Sequence, residues 1–190
     1  MDLPNLLLEL SSGDDERAEQ AAQALASLGA ASLPALRGLL SAPDEDTRWW
    51  AVRALAECQV EGIAAAMRQA LEDPSPAVRQ AALLGLRLHP EAESIPALIS
   101  RLDDRDSLCA AMAADALAAL GAQAVPALIE AVQGGSFPAQ VESARALAEI
   151  GDPSAIPALY AAGNQGSTLL DYWVSIGLEK MGVGSVVFKP

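Results

Sequence analysis

Ile156-Pro157-Ala158-Leu159 is one copy of a motif that recurs along this chain at intervals of 30 or 31 residues. Four other copies also carry the proline: Leu3-Pro4-Asn5-Leu6, Leu33-Pro34-Ala35-Leu36, Ile95-Pro96-Ala97-Leu98 and Val125-Pro126-Ala127-Leu128. A sixth copy, Ala64-Ala65-Ala66-Met67, has alanine in place of the proline. A leucine follows twenty-one residues later in every copy, and we call it the marker leucine: Leu25, Leu55, Leu86, Leu117, Leu147 and Leu178. Two columns in one register indicate a supersecondary unit that is repeated six times.

Each repeat is predicted to hold two helices joined by a polar turn. The first helix starts at the proline, because a residue without an N–H is tolerated in the first helical turn. It buries one column, Leu6, Leu36, Met67, Leu98, Leu128 and Leu159. The second helix ends just after the marker leucine, in four repeats at a glycine suited to a left-handed cap: Gly29, Gly121, Gly151 and Gly182. The column before the marker leucine never exceeds alanine, which predicts that helix backbones approach closely there.

These patterns predict the fold class. We expect an all-α, right-handed α-solenoid of six helix pairs, because each repeat can bury its apolar face only against its neighbours. The predicted organisation is a single domain over residues 1–190. Its repeats span about 3–29, 33–59, 64–90, 95–121, 125–151 and 156–182, and a tail follows at 183–190.

Composition restricts the classes of partner. The formal net charge is -13, and only 12 residues are Lys or Arg. Binding of a phosphate backbone draws on clustered basic residues, so we expect no nucleic-acid partner. The start of the chain has no basic segment of a signal peptide, and no apolar run approaches the roughly 18 residues that span a bilayer. We therefore expect a cytoplasmic protein with no membrane association.

Residues suited to catalysis or metal binding are few. Cys58 and Cys109 are separated by one complete repeat, so they are predicted to be reduced, buried thiols. The single histidine, His89, precedes Pro90 at a helix end, where a turn or capping role is expected. One histidine and two distant cysteines do not assemble a conventional zinc site. The sequence predicts no catalytic residue, no metal and no cofactor, and thus no enzyme.

The chain resembles the HEAT-like repeats, in particular the short bacterial type first recognised in the phycobilin lyases. The resemblance covers residues 3–182 and rests on the Pro-Ala-Leu starts, the Asp73-Pro74 turn, and Val78-Arg79-Gln80-Ala81-Ala82 followed by Leu86. The arginine that the family carries in the second helix is present only at Arg48 and Arg79. The resemblance implies that first helices line a concave face and second helices a convex face.

The concave face is the first candidate binding surface. The residue after each buried position of the first helix is turned about 100° from it, and the next residue about 200°. These positions predict a groove that is cationic early and apolar later, suited to an acidic amphipathic peptide. Its residues are Arg37, Arg68, Gln69, Ile99, Ser100, Ile129, Glu130 and Tyr160. Alternatively, Ile99 and Ile129 only cover gaps between adjacent first helices.

Two other surfaces carry a binding interpretation and a structural one. The turns inside the first four repeats are acidic, as in Asp14-Asp15-Glu16 and Asp44-Glu45-Asp46. Such residues cap helices and complement the helix dipole, or they attract a basic partner or a divalent cation. On the convex side, Trp49, Trp50 and Arg53 have the composition of an interface hot spot, or the indoles pack on neighbouring helices.

The last repeat is unusually apolar, and the tail contains Val186-Val187-Phe188. Either the tail folds back over the end of the core, or this end supports docking or a weak homodimer. For the whole protein, two function classes remain. We favour a non-enzymatic scaffold or assembly adaptor, most simply a monomer, that binds a protein or peptide on the concave face. The alternative is a subunit that handles a tetrapyrrole, similar to a bilin lyase.

Overall fold

The computed structural model describes residues 2–163 and 167–184, and these residues form helices and turns with no strand. Twelve α-helices occur within this part of the chain. The first helices of the six repeats are α1 (Leu3–Leu10), α3 (Leu33–Leu39), α5 (Ile63–Ala70), α7 (Ile95–Arg101), α9 (Val125–Gly134) and α11 (Ile156–Ala162). The second helices are α2 (Asp15–Ser27), α4 (Glu45–Glu57), α6 (Pro76–Leu88), α8 (Ser107–Ala119), α10 (Phe137–Ile150) and α12 (Thr168–Lys180). The fold class is therefore confirmed as an all-α repeat fold of the α-solenoid class.

The chain divides into two compact units, Met1–Pro90 and Glu91–Pro190, each with three helix pairs. In the first unit, α4 packs between α2 and α6. In the second unit, α10 packs between α8 and α12, and α9 packs between α7 and α11. The prediction that residues 1–190 form one domain stays a prediction.

The predicted core columns are buried in both units. Every marker leucine is buried, and so is every residue of the first-helix column from Leu6 to Leu159. The four predicted glycine stops also adopt a left-handed backbone, with φ between 56° at Gly29 and 82° at Gly182. The helical phase derived from the sequence is therefore confirmed.

At two positions directly before a marker leucine, a glycine leaves space for the buried side chain of the first helix of the same repeat. A Cβ added to Gly85 would lie 2.6 Å from the Met67 sulfur and 3.4 Å from the Ala56 Cβ. A Cβ on Gly177 would lie 3.1 Å from a Leu159 methyl and 3.3 Å from the Ala148 Cα. The predicted close approach of helix backbones is seen at Gly177, but at Gly85 the neighbouring side chains rather than a backbone fill the space, so the prediction is wrong there.

The Cys58 and Cys109 side chains are both buried as free thiols, as predicted. None of the described helices combines the length and the apolar character needed to cross a membrane. The predicted closure of the core by Val186-Val187-Phe188 concerns residues outside the described part of the chain.

Candidate functional site

The second unit presents an apolar strip on its first helices. Ile99 of α7 and Ile129 of α9 are half-buried, and Tyr160 of α11 is 60% exposed. Each follows a fully buried leucine, so the three occupy the same position on helices that pack in series. Ser100 and Glu130, the next residues on α7 and α9, are exposed. We call these five residues the first-helix face of the second unit.

The first unit presents two arginines in the same column. Arg37 is exposed, and its Nη2 donates a hydrogen bond of 3.2 Å to the Gly62 carbonyl oxygen. Gly62 precedes α5 with φ 86°, a left-handed conformation, so Arg37 ties α3 to the turn of the next repeat. Arg68 is half-buried and Gln69 is exposed. Gln69 also lines a cavity of about 260 Å³ together with Leu40, Arg48 and Asp73.

The tryptophan pair lies half-buried on α4. The rings of Trp49 and Trp50 meet edge to face, with centroids 4.8 Å apart and planes at 84°. Arg53 forms ion pairs with Glu57 on its own helix and with Glu19 of α2, the latter at 3.5 Å. Because both carboxylates neutralise this guanidinium, Arg53 serves to hold α4 against α2.

The acidic turns contain helix caps. The carboxylates of Asp14, Asp44 and Asp106 accept hydrogen bonds from the backbone N–H three residues later, at 2.8–3.0 Å. Hydrogen bonds from the Thr47 hydroxyl and the Thr47 N–H lower the pKa of the Asp44 carboxyl. Capping therefore accounts for one aspartate in each of these three turns. Among the described residues, no group of three or more His, Cys, Asp or Glu side chains has the placement of a metal site.

The histidine and one thiol bond to helix carbonyls. His89 Nε2 lies 2.8 Å from the Ala56 carbonyl oxygen, and Cys58 Sγ donates to the Ala54 carbonyl oxygen at 3.4 Å. Burial raises the pKa of the Cys58 thiol, which disfavours the reactive thiolate. These contacts give both side chains a structural role at the end of α4.

One cavity was missed by the reasoning from sequence. It measures about 460 Å³ in the first unit, with Leu6 and Ala21 as apolar walls and the ion pair of Glu9 with Arg17 at 2.5 Å. Ala24 also lines it and is half-buried, although the same column is buried in the other five repeats. Sequence periodicity predicts the same environment for every repeat, so it gives no signal for this difference.

The sequence matches the family model for HEAT repeats over residues 3–66, 63–138 and 95–170. No curated protein matches the chain. Among solved structures, an engineered protein (structural genomics target OR366) is 24% identical with a TM-score of 0.59, covering 97% of this chain and 100% of that one. The complex of CpcE and CpcF of phycocyanin lyase from Nostoc sp. PCC7120 gives 20% identity and a TM-score of 0.60, covering 76% and 96%. A designed armadillo repeat protein in complex with the peptide (KR)4 is 20% identical with a TM-score of 0.55, and the match covers 96% of this chain and 100% of that one.

Proposed function

The chain belongs to the HEAT-repeat family, and from this premise we propose that it is a non-enzymatic scaffold that binds a protein or peptide on its first-helix face. The observation that carries the proposal is the apolar strip of the second unit. Ile99, Ile129 and Tyr160 leave apolar surface in contact with water at one repeated position, and burial of such surface contributes roughly 25 cal/mol per Å². A partner that covers the strip gains this contribution.

The charges describe the partner in more detail. Arg37 is exposed in the same column of the first unit, and Arg68 is half-buried there. We propose that each unit contributes its own binding surface: the arginines of the first unit bind carboxylates of a partner, and the strip of the second unit binds apolar residues. The designed armadillo protein, which has a related fold, is in complex with the basic peptide (KR)4. That peptide has the opposite charge to the acidic partner proposed here, so it can serve as a control ligand. A net charge of -13 supports a protein ligand over a nucleic acid.

The absence of an enzymatic activity is part of the same proposal. The single histidine of the chain bonds to a helix carbonyl, and the Cys58 thiol has a raised pKa. A deoxyhypusine hydroxylase shares the fold at 20% identity, and an identity this low gives no reason to assign its activity to this chain. The scaffold interpretation needs only the exposed surface described above.

A photo-crosslinker placed at Tyr160 tests the proposal. p-Benzoylphenylalanine replaces Tyr160 in the full chain, and irradiation follows in an extract of the cells that produce the protein. Phe137, 51% exposed at the start of α10, is the matched control position in the same unit. We expect an adduct specific to position 160 that disappears when Ile99 and Ile129 are both replaced by Glu. Equal adducts at positions 160 and 137, or an adduct that survives the double replacement, would contradict the proposal.

A second candidate is the handling of a tetrapyrrole, which rests on the similarity to the CpcE and CpcF complex. Adding a bilin to the purified protein and recording the visible spectrum separates the two functions. A shifted and intensified bilin absorption favours the tetrapyrrole. An unchanged spectrum leaves the scaffold as the proposed function.

A further inference from the structure

Two ion pairs between second helices of adjacent repeats show which side of a second helix faces the next one. In the first unit, Arg53 of α4 reaches Glu19 of α2 at 3.5 Å. In the second unit, Arg145 of α10 reaches Asp115 of α8 at 2.7 Å and the Ala111 carbonyl oxygen at 2.5 Å. Glu19 and Ala111 lie six residues before their marker leucines, and Asp115 lies two before. These two columns therefore face the following second helix.

On α12 the same columns are occupied by Tyr172 and Ile176. Tyr172 is 55% exposed, and Ile176 and the adjacent Trp173 are half-buried. Leu169 lies one turn earlier on the helix and is 52% exposed. The inner side of α12 is already packed, because Leu170, Val174 and Leu178 are buried against α10 and α11. We call Leu169, Tyr172, Trp173 and Ile176 the outer face of α12.

We propose that the outer face of α12 binds the outer face of α12 from a second copy of this chain, in an antiparallel pair with two-fold symmetry. The positions 169, 172, 173 and 176 follow the i, i+3, i+4, i+7 spacing of an amphipathic helix. A stripe of this kind is self-complementary under a two-fold axis, in which one patch meets itself. The axis passes between Tyr172 and Trp173, and Leu169 then lies opposite Ile176 of the second copy.

The local charge permits a second copy at this place. Each chain carries a net charge of -13, so two copies repel one another over most of their surfaces. Residues 168–178 contain a single carboxylate, Asp171, and no basic residue. The outer face of α12 is therefore a surface where two acidic chains can approach with little repulsion and still bury aromatic and aliphatic side chains. Added salt is expected to strengthen the pair, because it screens the remaining repulsion.

The inference is independent of the proposed function, because it concerns a second helix and needs no other partner. Sedimentation equilibrium of the purified full chain tests it first. We expect a monomer–dimer equilibrium whose dimer fraction grows between about 0.05 M and about 0.5 M salt. Tyr172→Glu is expected to raise the dimer dissociation constant at least about tenfold. Tyr160→Glu, which changes the other exposed tyrosine of the unit, is expected to leave that constant unchanged.

Cysteine crosslinking tests the symmetry. Helix axes about 8–10 Å apart bring facing Cα atoms within the roughly 7 Å that a disulfide allows. Under mild oxidation, Tyr172→Cys is therefore expected to form a covalent dimer, and Tyr160→Cys is expected to stay monomeric. The native Cys58 and Cys109 are buried and can stay in place.

Three results would overturn the inference. The first is a full chain that stays monomeric up to about 1 mM at high salt. The second is a dimer that Tyr172→Glu does not weaken. The third is a chain ending at Gly184 that dimerises while the full chain does not, because residues 185–190 would then be the occupant of the face.

Discussion

Arg48 of α4 and Asp73, 25 residues further along the chain, form an ion pair through two hydrogen bonds. Arg48 Nε lies 2.6 Å from Oδ2 of Asp73, and Nη2 lies 2.9 Å from Oδ1. The two side chains are only 11% and 7% exposed. Arg48 also donates to the Ala42 and Pro43 carbonyl oxygens, at 3.0 and 3.2 Å. One guanidinium therefore links the turn of the second repeat to the turn of the third.

We expect Asp73→Asn to lower the free energy of unfolding by about 3 kcal/mol, because it leaves a largely buried guanidinium without its counter-ion. Urea denaturation followed by circular dichroism measures the change. The control is Glu9→Gln, which removes the carboxylate paired with Arg17, a side chain that is 57% exposed, and a change too small to measure is expected there. Equal effects of the two substitutions would show that burial does not strengthen the Arg48–Asp73 pair.

The same carboxylate predicts a pH dependence. Burial disfavours the ionised form of Asp73, but the hydrogen bonds from Arg48 and from the Ser75 N–H outweigh it and hold the pKa of Asp73 below its ordinary value. Such a group stabilises the fold above its unfolded pKa of about 3.9, and the contribution is lost as pH falls through the folded pKa. We therefore expect the free energy of unfolding to fall between about pH 5 and pH 3.

Urea denaturation of the native chain and of Asp73→Asn over this pH range measures that loss. The native chain should lose more stability on acidification than the variant, because the variant has no carboxyl at residue 73 to protonate. Parallel curves for the two proteins would show that this ion pair does not contribute to the pH dependence.

The helices and the core were predictable because they repeat. A leucine that recurs at a fixed spacing is predicted to be buried in every repeat, and Leu98 and Leu128 are buried as expected. Contacts between side chains of different repeats were not predictable in the same way. Arg53 was interpreted as part of an interface, and its ion pair with Glu19 depends on how α4 lies against α2. Nothing in the spacing of the two residues indicates that packing.

A glycine in the third repeat shows a second limit of the periodicity. The buried residue of the first helix and the residue before the marker leucine are Leu and Ala in repeats one, two, four and five. They are Leu and Gly in repeat six, and Met67 and Gly85 in repeat three. A Cβ at residue 85 would lie 2.6 Å from the Met67 sulfur, and Met67 is fully buried. The sequence shows that both residues differ from the column. Only the structure shows that the two differences compensate each other.

This compensation predicts the outcome of a double-mutant cycle. Gly85→Ala should lower the free energy of unfolding by about 1 kcal/mol, because overpacking of about 1–3 kcal/mol exceeds the gain in helix propensity. Met67→Leu together with Gly85→Ala gives the Leu and Ala pair of repeats one, two, four and five, and we expect it to be more stable than Gly85→Ala alone. The measurement is urea denaturation of the native chain, both single variants and the double variant. Additive effects would contradict the compensation.

Helix capping by Asp106 can be separated from the negative charge of its turn. The Asp106 carboxylate accepts a hydrogen bond of 2.9 Å from the Cys109 N–H at the start of α8. We expect Asp106→Ala to lower the free energy of unfolding by about 1 kcal/mol and Asp106→Asn to change it little, because Asn caps a helix as well as Asp does. Asp103→Asn, at an exposed residue of the same turn, removes one charge without touching the cap. Thermal denaturation of the three variants measures the effects. If Asp106→Asn destabilises the protein as much as Asp106→Ala, the charge rather than the cap stabilises the turn, and the structural explanation of the acidic residues fails there.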